Sequence, residues 1–330
     1  MPTTQRVLAA DIGGTNARFA VFRHESGPAG PKLELDSVVW LSTAELSGAA
    51  SVLAAFRRAL QLPTDVGPEA ADALAVALAG PVSGGCGCLT NGSLRLDSAE
   101  MASGIPVVLM NDFLAQAYAC ACLPEESVRP VFAQESGAEA GSVRAVVGAG
   151  TGVGAAVLWE CAGRLHALPS EAGHASFALV GREEEDFGRF ALQQTGVPFL
   201  VGDEVLSGRG LALLHRYLTG ERLPPREVSR AALKSETTTL RWYARLYGRF
   251  CRNVALTTLC TGGLWIAGGI AADNPLVVNS GCFAEEFFAS PRLEALLRRL
   301  PVFLVDDKNS GLWGAAYAAS LQTAPAAVCE

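Results

Sequence analysis

The chain contains two glycine turns of one kind, and both are suited to binding phosphate groups. Residues 7–22 read VLAADIGGTNARFAVF and residues 145–158 read AVVGAGTGVGAAVL, so in each an apolar run meets a turn ending in Gly-Thr and a second apolar run follows. A strand–glycine turn–strand hairpin lets backbone N–H groups approach a phosphate closely, because no Cβ stands in the way. Two such hairpins predict two half-domains that face each other across a nucleotide.

Asp11 stands at the end of the first apolar run, just ahead of Gly13-Gly14-Thr15. A carboxylate at this place can hold Mg²⁺ or its waters, and the cation would neutralise charge on a transferring phosphate. An Asp before glycines is equally typical of a turn that its own side chain caps. The presence of the second phosphate-type turn favours the metal interpretation.

Asn111 and Asp112 follow the strand-like run 107–110 and precede a helical segment. The carboxyl end of a strand is where open α/β sheets carry their chemistry. Phosphoryl transfer to an alcohol needs a carboxylate that accepts the hydroxyl proton, which is a role for Asp112. Asn and Asp are also ideal helix N-caps, and the motif alone favours the cap.

Glu171-Ala-Gly-His174 follows the third strand pattern of the second half. This spacing is not His-Glu-x-x-His and offers no third ligand, so it does not predict zinc. A carboxylate and an imidazole on a glycine loop suit a sugar, whose neighbouring hydroxyls need acceptors and a donor–acceptor group. The alternative for His174 is a hydrogen-bonded core residue.

Two further pairs have both a functional and a structural interpretation. Asp203 and Glu204 open a helical segment, where acidic side chains favour the helix dipole in any case. Gly268-Gly269 lets the backbone lie against a flat group such as an adenine ring, or lets two helices touch. The residues alone do not separate these alternatives.

The elements that position these residues follow from hydrophobic periodicity. The pattern predicts α/β architecture with a mixed sheet and flanking helices in each half, and loops at 24–34 and 133–142. The predicted strands are 6–11, 17–22, 35–40, 73–79, 106–110, 143–148, 154–159, 164–168 and 302–305. The predicted helices are 45–60, 237–260 and 311–322, within a second half that is mostly helical from 183 to 260.

Composition excludes several classes of protein. A length of 330 residues allows two domains, and 50% hydrophobic with 18% charged residues is typical of a folded α/β protein. The net charge of −7 argues against a nucleic-acid partner. The uncharged stretch 73–94 is broken by glycines and a proline and does not predict a membrane span. Nine cysteines without a secretory pattern indicate reduced thiols and a cytoplasmic protein; Cys86/Cys88 and Cys120/Cys122 lack the further ligands of a metal site.

Taken together, the motifs resemble the bacterial glucokinase family, which is separate from the repressor–kinase group but shares the actin-like ATPase (ribonuclease H-like) fold. They run in the family's order over nearly the whole chain. The matching segments are Asp11-Ile-Gly-Gly-Thr-Asn-Ala-Arg18, Thr90-Asn91, Asn111-Asp112-Phe113, Gly148-Ala-Gly-Thr-Gly-Val-Gly154, Glu171-Ala-Gly-His174, Val205-Leu-Ser-Gly208 and Ala267-Gly-Gly-Ile270.

The resemblance implies ATP-dependent phosphorylation of the 6-hydroxyl of glucose, the first step of glycolysis, with ATP and Mg²⁺ as cofactors. It implies that Asp112 is the base and that Asp11 holds the metal. The implied sugar-binding residues are Asn91, Asn111, Asp112, Glu171, His174, Asp203 and Glu204. The implied nucleotide-binding residues are Asp11, Gly13, Gly14, Thr15, Asn16, Gly150, Thr151, Gly152, Gly268 and Gly269.

The resemblance also implies a homodimer, a small domain of residues 1–110 with 312–330, a large domain of residues 111–311, and an active-site cleft between them. One departure concerns the sugar: the family has Glu where this chain has Asp203, and Glu204 comes one residue later. Two alternatives stay open, a kinase for another hexose such as mannose or an N-acetylhexosamine, and a non-catalytic actin-like module that only binds nucleotide.

Overall fold

The computed structural model describes residues 4–27, 30–61, 70–90, 92–102, 104–132 and 142–323. The strands are β1 (Thr4–Ile12), β2 (Asn16–Gly27), β3 (Gly30–Ser42), β4 (Ala73–Leu78), β5 (Val82–Ser83), β6 (Cys86–Cys88), β7 (Arg95–Asp97), β8 (Val107–Asn111), β9 (Val128–Pro130), β10 (Arg144–Ala149), β11 (Val153–Cys161), β12 (Arg164–Ser170), β13 (Gly263–Ala267) and β14 (Val302–Val305). The helices are α1 (Ala49–Ala59), α2 (Ser98–Met101), α3 (Asp112–Ala119), α4 (Arg182–Thr195), α5 (Gly202–Leu206), α6 (Gly208–Thr219), α7 (Pro225–Ala232), α8 (Thr238–Thr258), α9 (Gly269–Asp273), α10 (Leu276–Asn279), α11 (Gly281–Phe288), α12 (Glu294–Leu297) and α13 (Ser310–Thr323).

Contacts divide the chain into two compact units, residues 1–124 with 308–330 and residues 125–307. The division falls later along the chain than the predicted one at 110/111. The physical reason is that α3 packs closely against α13. A Cβ on Gly314 of α13 would lie 1.7 Å from the Ala115 carbonyl oxygen of α3, so the two backbones touch.

The first unit is built on a mixed sheet in the order β3-β2-β1-β4-β8. Strands β1, β4 and β8 run parallel, and β1–β2–β3 form an antiparallel meander. Successive residues of β1 alternate between two cores: Leu8 and Ala10 face the core that contains α1, and Val7 and Ala9 face the core that contains α13. Because helices cover both faces, β4 is buried along its whole length.

The loop predicted at 24–34 is wrong. Strands β2 and β3 continue through this region as a hairpin, in which His24 pairs with Leu33 and Gly27 pairs with Gly30. Pro31 does not break the pairing, because β3 is the edge strand and needs to donate hydrogen bonds to one neighbour only. The other predicted loop, 133–142, lies almost entirely outside the described residues.

The second unit repeats the scheme with a sheet in the order β12-β11-β10-β13-β14-β9. The predicted strands of this half are confirmed, and so is the long helix, observed as α8. Buried side chains of α8, including Tyr243, Tyr247 and Phe250, form much of the core. Arg249 of α8 is buried between two carboxylates, with its guanidinium 2.5 Å from Glu184 and 2.9 Å from Glu286.

Among the described residues, no helix combines the length and the apolar character that crossing a bilayer would require.

Candidate functional site

The first glycine turn joins β1 to β2 and is held by its own backbone. The Gly13 amide donates to the Asn16 carbonyl (3.0 Å), and the Thr43 hydroxyl donates to the Gly13 carbonyl (2.7 Å). Gly14, Thr15 and Asn16 are exposed, and a Cβ on Gly14 would meet nothing within 4 Å. The turn thus offers an open, backbone-lined surface next to the end of β1.

Asp11 lies at the carboxyl end of β1, where its Oδ2 is 3.2 Å from Nη1 of Arg18. Burial raises the pKa of Asp11, and Arg18 opposes the shift. The Arg18 guanidinium also donates to the Lys308 carbonyl and lies over the ring of Trp40, 4.5 Å from its centroid. Asp11 therefore forms an ion pair with Arg18 of its own hairpin. The turn-cap interpretation of Asp11 did not predict this ion pair.

Asn111 and Asp112 lie at the same edge of this sheet, because β8 runs parallel to β4 and β4 runs parallel to β1. Asn111 is the N-cap of α3: its Oδ1 accepts from the Phe113 amide (2.9 Å), and its Nδ2 donates to the Gly80 carbonyl (3.1 Å). The cap interpretation thus holds for Asn111. The Asp112 carboxylate accepts from the Phe113 amide as well, at 3.0 Å.

The Asp112 carboxyl is in an environment that favours its neutral form. Burial, and then the negative charge of Asp11, raise the pKa of Asp112 to about 7. A carboxylate whose pKa lies near neutrality is suited to accepting a proton from an alcohol and releasing it again. This is a property that a plain helix cap does not need.

This pKa has a consequence for stability. The ordinary value is 3.8, so between that value and about 7 the folded protein holds a proton that the unfolded chain releases. The contribution of Asp112 to the free energy of unfolding therefore decreases as pH rises from 3.8 to about 7. We expect Asp112→Asn, which cannot ionise, to raise the melting temperature at about pH 8, with a gain that shrinks as pH falls to about 4.

Melting curves of the wild type and the variant across this pH range check the expectation. Glu100→Gln, which removes an exposed carboxylate of the same unit, is the control for a general loss of charge. An Asp112→Asn gain that is equal at all pH values would contradict the raised pKa.

A divalent cation fits the carboxyl edge of this sheet. Asp11 and Asp112 supply hard oxygen donors close enough for their charges to interact, and a cation would offset their burial. Across the described residues, no group of three or more His, Cys, Asp or Glu side chains could hold a metal by itself. Mg²⁺ commonly binds through one or two carboxylates together with substrate phosphates, so Asp11 and Asp112 could hold it only together with the phosphates of a nucleotide.

The second glycine turn joins β10 to β11 and is held both by its own backbone, where the Gly150 amide donates to the Gly152 carbonyl (2.8 Å), and from outside. The Gly150 carbonyl accepts from the Gly208 amide (2.8 Å), and the Val153 amide donates to Oδ1 of Asp203 (2.8 Å). Thr151 and Gly152 are exposed. A Cβ on Gly268 would lie 2.6 Å from the Ala149 carbonyl oxygen, so the Gly268-Gly269 backbone lies directly against this hairpin.

Glu171 and His174 are on a short 3₁₀ turn after β12 and are both exposed, with 82% and 65% of the side chains accessible. Nε2 of His174 lies 3.9 Å from Oε2 of Glu171. This exposure rules out the alternative of a core histidine. Gly173 between them is buried, and the turn packs on β11 and on α5.

Asp203 and Glu204 begin α5, as the sequence predicts, but their environments differ. Asp203 is buried and its two carboxylate oxygens contact Val153 and Arg209, whereas Glu204 is half-buried. Arg209 gave no signal in the sequence; only its contact with Asp203 draws attention to it. Asn91 lies outside the described residues, although the Thr90 amide before it donates to the Ala79 carbonyl at the end of β4.

Within the described part of the chain, neither cysteine pair belongs to a group of three or more His, Cys, Asp or Glu side chains that could hold a metal ion. Cys86 and Cys88 are exposed on β6, while Cys120 is buried and Cys122 half-buried at the end of α3. Asp97 raises the pKa of the Cys86 thiol, which keeps it protonated.

Comparison with known proteins places these features in one family. The glucokinase family matches residues 8–322. A glucokinase of Nitrobacter hamburgensis is 32% identical over 95% of this chain and 97% of its own length, and one of Klebsiella pneumoniae is 31% identical over 94% and 96%. The crystal structure of a glucokinase from an Antarctic psychrotroph superposes with a TM-score of 0.81 at 27% identity, covering 96% of this chain and 99% of that chain.

The fold is accordingly the two-domain actin-like ATPase fold of the sugar kinases. Since the match runs through both glycine turns, Asn111-Asp112 and the Glu171–His174 turn, and extends over nearly the whole sequence at more than 30% identity, the chain belongs to the glucokinase family.

Proposed function

We propose that this protein transfers the γ-phosphoryl group of ATP to the 6-hydroxyl of glucose, giving glucose 6-phosphate and ADP. The observation that carries the proposal is Asp112. It is a carboxyl with a pKa of about 7 at the carboxyl edge of a parallel sheet, next to an open glycine turn, in a chain of the glucokinase family.

In this mechanism Asp112 accepts the proton of the 6-hydroxyl while the oxygen of that hydroxyl attacks the γ-phosphorus of ATP. The bond between that phosphorus and the bridging oxygen breaks, and ADP leaves. The raised pKa of Asp112 suits this step, because a carboxyl whose pKa lies near neutral pH can accept the proton and release it again. Asn111 holds the start of α3, and so the position of Asp112, through its bonds to Phe113 and Gly80.

The exposed Glu171 and His174 are proposed to bind the remaining sugar hydroxyls, because a carboxylate accepts and an imidazole both accepts and donates hydrogen bonds. Asn91 and Glu204 stay candidates for the same role. The open turns Gly13–Asn16 and Gly150–Gly152 are proposed to bind the ATP phosphates through their backbone, and Gly268-Gly269 the adenosine.

Asp11 would hold Mg²⁺, which would supply positive charge to the transferring phosphoryl group. A cytoplasmic location stays a prediction that rests on the nine cysteines of the chain, whose number suits a reducing compartment. A homodimer stays a prediction, and light scattering of the purified protein tests it.

The first experiment is ADP release from Mg·ATP by the purified protein, with and without glucose, mannose, fructose or N-acetylglucosamine. We expect strong stimulation by glucose. Stimulation by another sugar alone would retain the mechanism and change the substrate. Slow ADP release that no sugar alters would contradict the kinase and point to a nucleotide-binding module.

A further inference from the structure

The Asp203 carboxylate is engaged on both of its oxygens. Oδ1 accepts a hydrogen bond from the Val153 amide at 2.8 Å, and Oδ2 forms an ion pair with Nη2 of Arg209 at 3.1 Å. Only 11% of the Asp203 side chain is accessible, whereas 78% of the Arg209 side chain is exposed. The Asp203 carboxylate is thus directed at β11, and it holds the largely exposed guanidinium of Arg209.

Residues of α5 and α6 hold the Gly150–Gly152 turn at both of its ends. Val153 is the first residue after the turn, so its bond to Asp203 holds the end of the turn. The Gly208 amide donates to the Gly150 carbonyl, which holds the beginning and places Arg209, the next residue, beside the turn. A Cβ on Gly152 would lie 3.0 Å from Oδ1 of Asp203, so little free space separates the carboxylate from the turn.

We propose that Asp203 is a positioning residue for the Gly150–Gly152 phosphate turn, not a sugar ligand, and that Arg209 neutralises its charge where the ATP phosphates bind. The inference rests on the proposed function only in taking ATP as the ligand of this turn. It assigns to the nucleotide a carboxylate that the resemblance assigns to the sugar.

Electrostatic repulsion would act between Asp203 and the phosphates of a nucleotide. A buried carboxylate beside a turn that binds polyphosphate would repel the ligand unless a cation compensates it. Arg209 supplies that cation, and its exposed guanidinium retains donors for a phosphate oxygen.

The test is binding of Mg·ATP without sugar, measured by isothermal titration calorimetry. We expect Asp203→Ala, which loses both contacts, to weaken binding about tenfold, the scale of a lost hydrogen bond to a charged group. Asp203→Asn keeps an oxygen for the Val153 amide and loses the ion pair, so a smaller loss of about two- to threefold is expected.

Arg209→Gln leaves the carboxylate uncompensated and is expected to weaken Mg·ATP binding about tenfold. The double variant Asp203→Asn/Arg209→Gln is expected to bind more tightly than Arg209→Gln alone, because the repelling charge is gone. A role in packing alone would not produce this rescue. Arg298→Gln, which breaks the exposed Arg298–Glu294 pair of α12, is the matched control and is expected to bind like the wild type.

Steady-state kinetics complete the test. We expect the Asp203 variants to raise KM for ATP and to change KM for glucose less than about twofold. A raised KM for glucose with unchanged Mg·ATP binding would overturn the inference and make Asp203 a sugar ligand. Wild-type protein that binds Mg·ATP but phosphorylates no glucose would refute the proposed function, while the binding series would still decide the role of Asp203.

Discussion

Asp112→Asn is expected to lower kcat by roughly 10²-fold or more while glucose affinity stays nearly intact, the scale of a lost general base. The amide is isosteric with the carboxyl and retains an oxygen for the Phe113 amide, so α3 keeps its first turn. What the variant loses is the ability to accept the proton of the sugar hydroxyl. Turnover with saturating Mg·ATP and glucose, together with calorimetric binding of glucose, measures both parts.

The matched control is Asp97→Asn in the same unit. Asp97 is the N-cap of α2 and accepts from the Ala99 amide at 2.8 Å, so this variant reproduces the loss of an acidic residue at a helix start without touching the site. We expect it to retain wild-type turnover. Near-wild-type turnover of Asp112→Asn would show that Asp112, too, is only a structural residue of α3.

The second large effect is expected from Gly173→Ala, which should lower kcat/KM for glucose by about 10²-fold. A Cβ at this position would lie 1.9 Å from the Val153 carbonyl oxygen. Val153 is held by its pairing with Ala149 of β10 and by the hydrogen bond of its amide to Asp203, whereas the 3₁₀ turn that carries Glu171 and His174 is largely exposed. The turn must therefore shift, and a displacement of about 1 Å at a binding group costs this much.

Gly281→Ala is the control for this variant, because a Cβ on Gly281 would meet nothing within 4 Å. Glu171→Gln and His174→Ala provide a second approach, since both alter the exposed groups without the collision. We expect kcat/KM for glucose to be lower in all three of these variants than in the wild type. Unchanged kcat/KM for glucose in Gly173→Ala and in these two would refute the proposed sugar site.

The local features of the site could be predicted because they depend on residues adjacent in sequence. In this chain the glycine turns at 13–15 and 150–152, each between two apolar runs, form hairpins, and Asn111-Asp112 after a strand begins a helix at the sheet edge. The 3.6-residue period of the segment 237–260 and the buried run of β4 likewise carry their own structure. For these elements the predicted strands and helices agree with the observed ones.

The extent of the first hairpin could not be predicted from composition. The segment 24–34 carries two prolines, glycines and charges, and it resembles a loop by those criteria. Residues 24–27 and 30–34 form strand because they continue a hairpin already registered by Arg18 opposite Trp40 and because β3 lies at an edge of the sheet. Pairing partners far along the chain outweigh local propensity here.

The amino-acid sequence by itself determined the α/β class, the two glycine turns, the candidate base and the family. Only the tertiary structure decided how the polar groups are used: that Arg18 pairs with Asp11, that Asn111 caps α3, and that Glu171 and His174 are exposed. It also directed Asp203 at the Val153 amide, fifty residues earlier in the chain. Burial and hydrogen-bond partners depend on which elements pack together, and that is set by contacts distant in sequence.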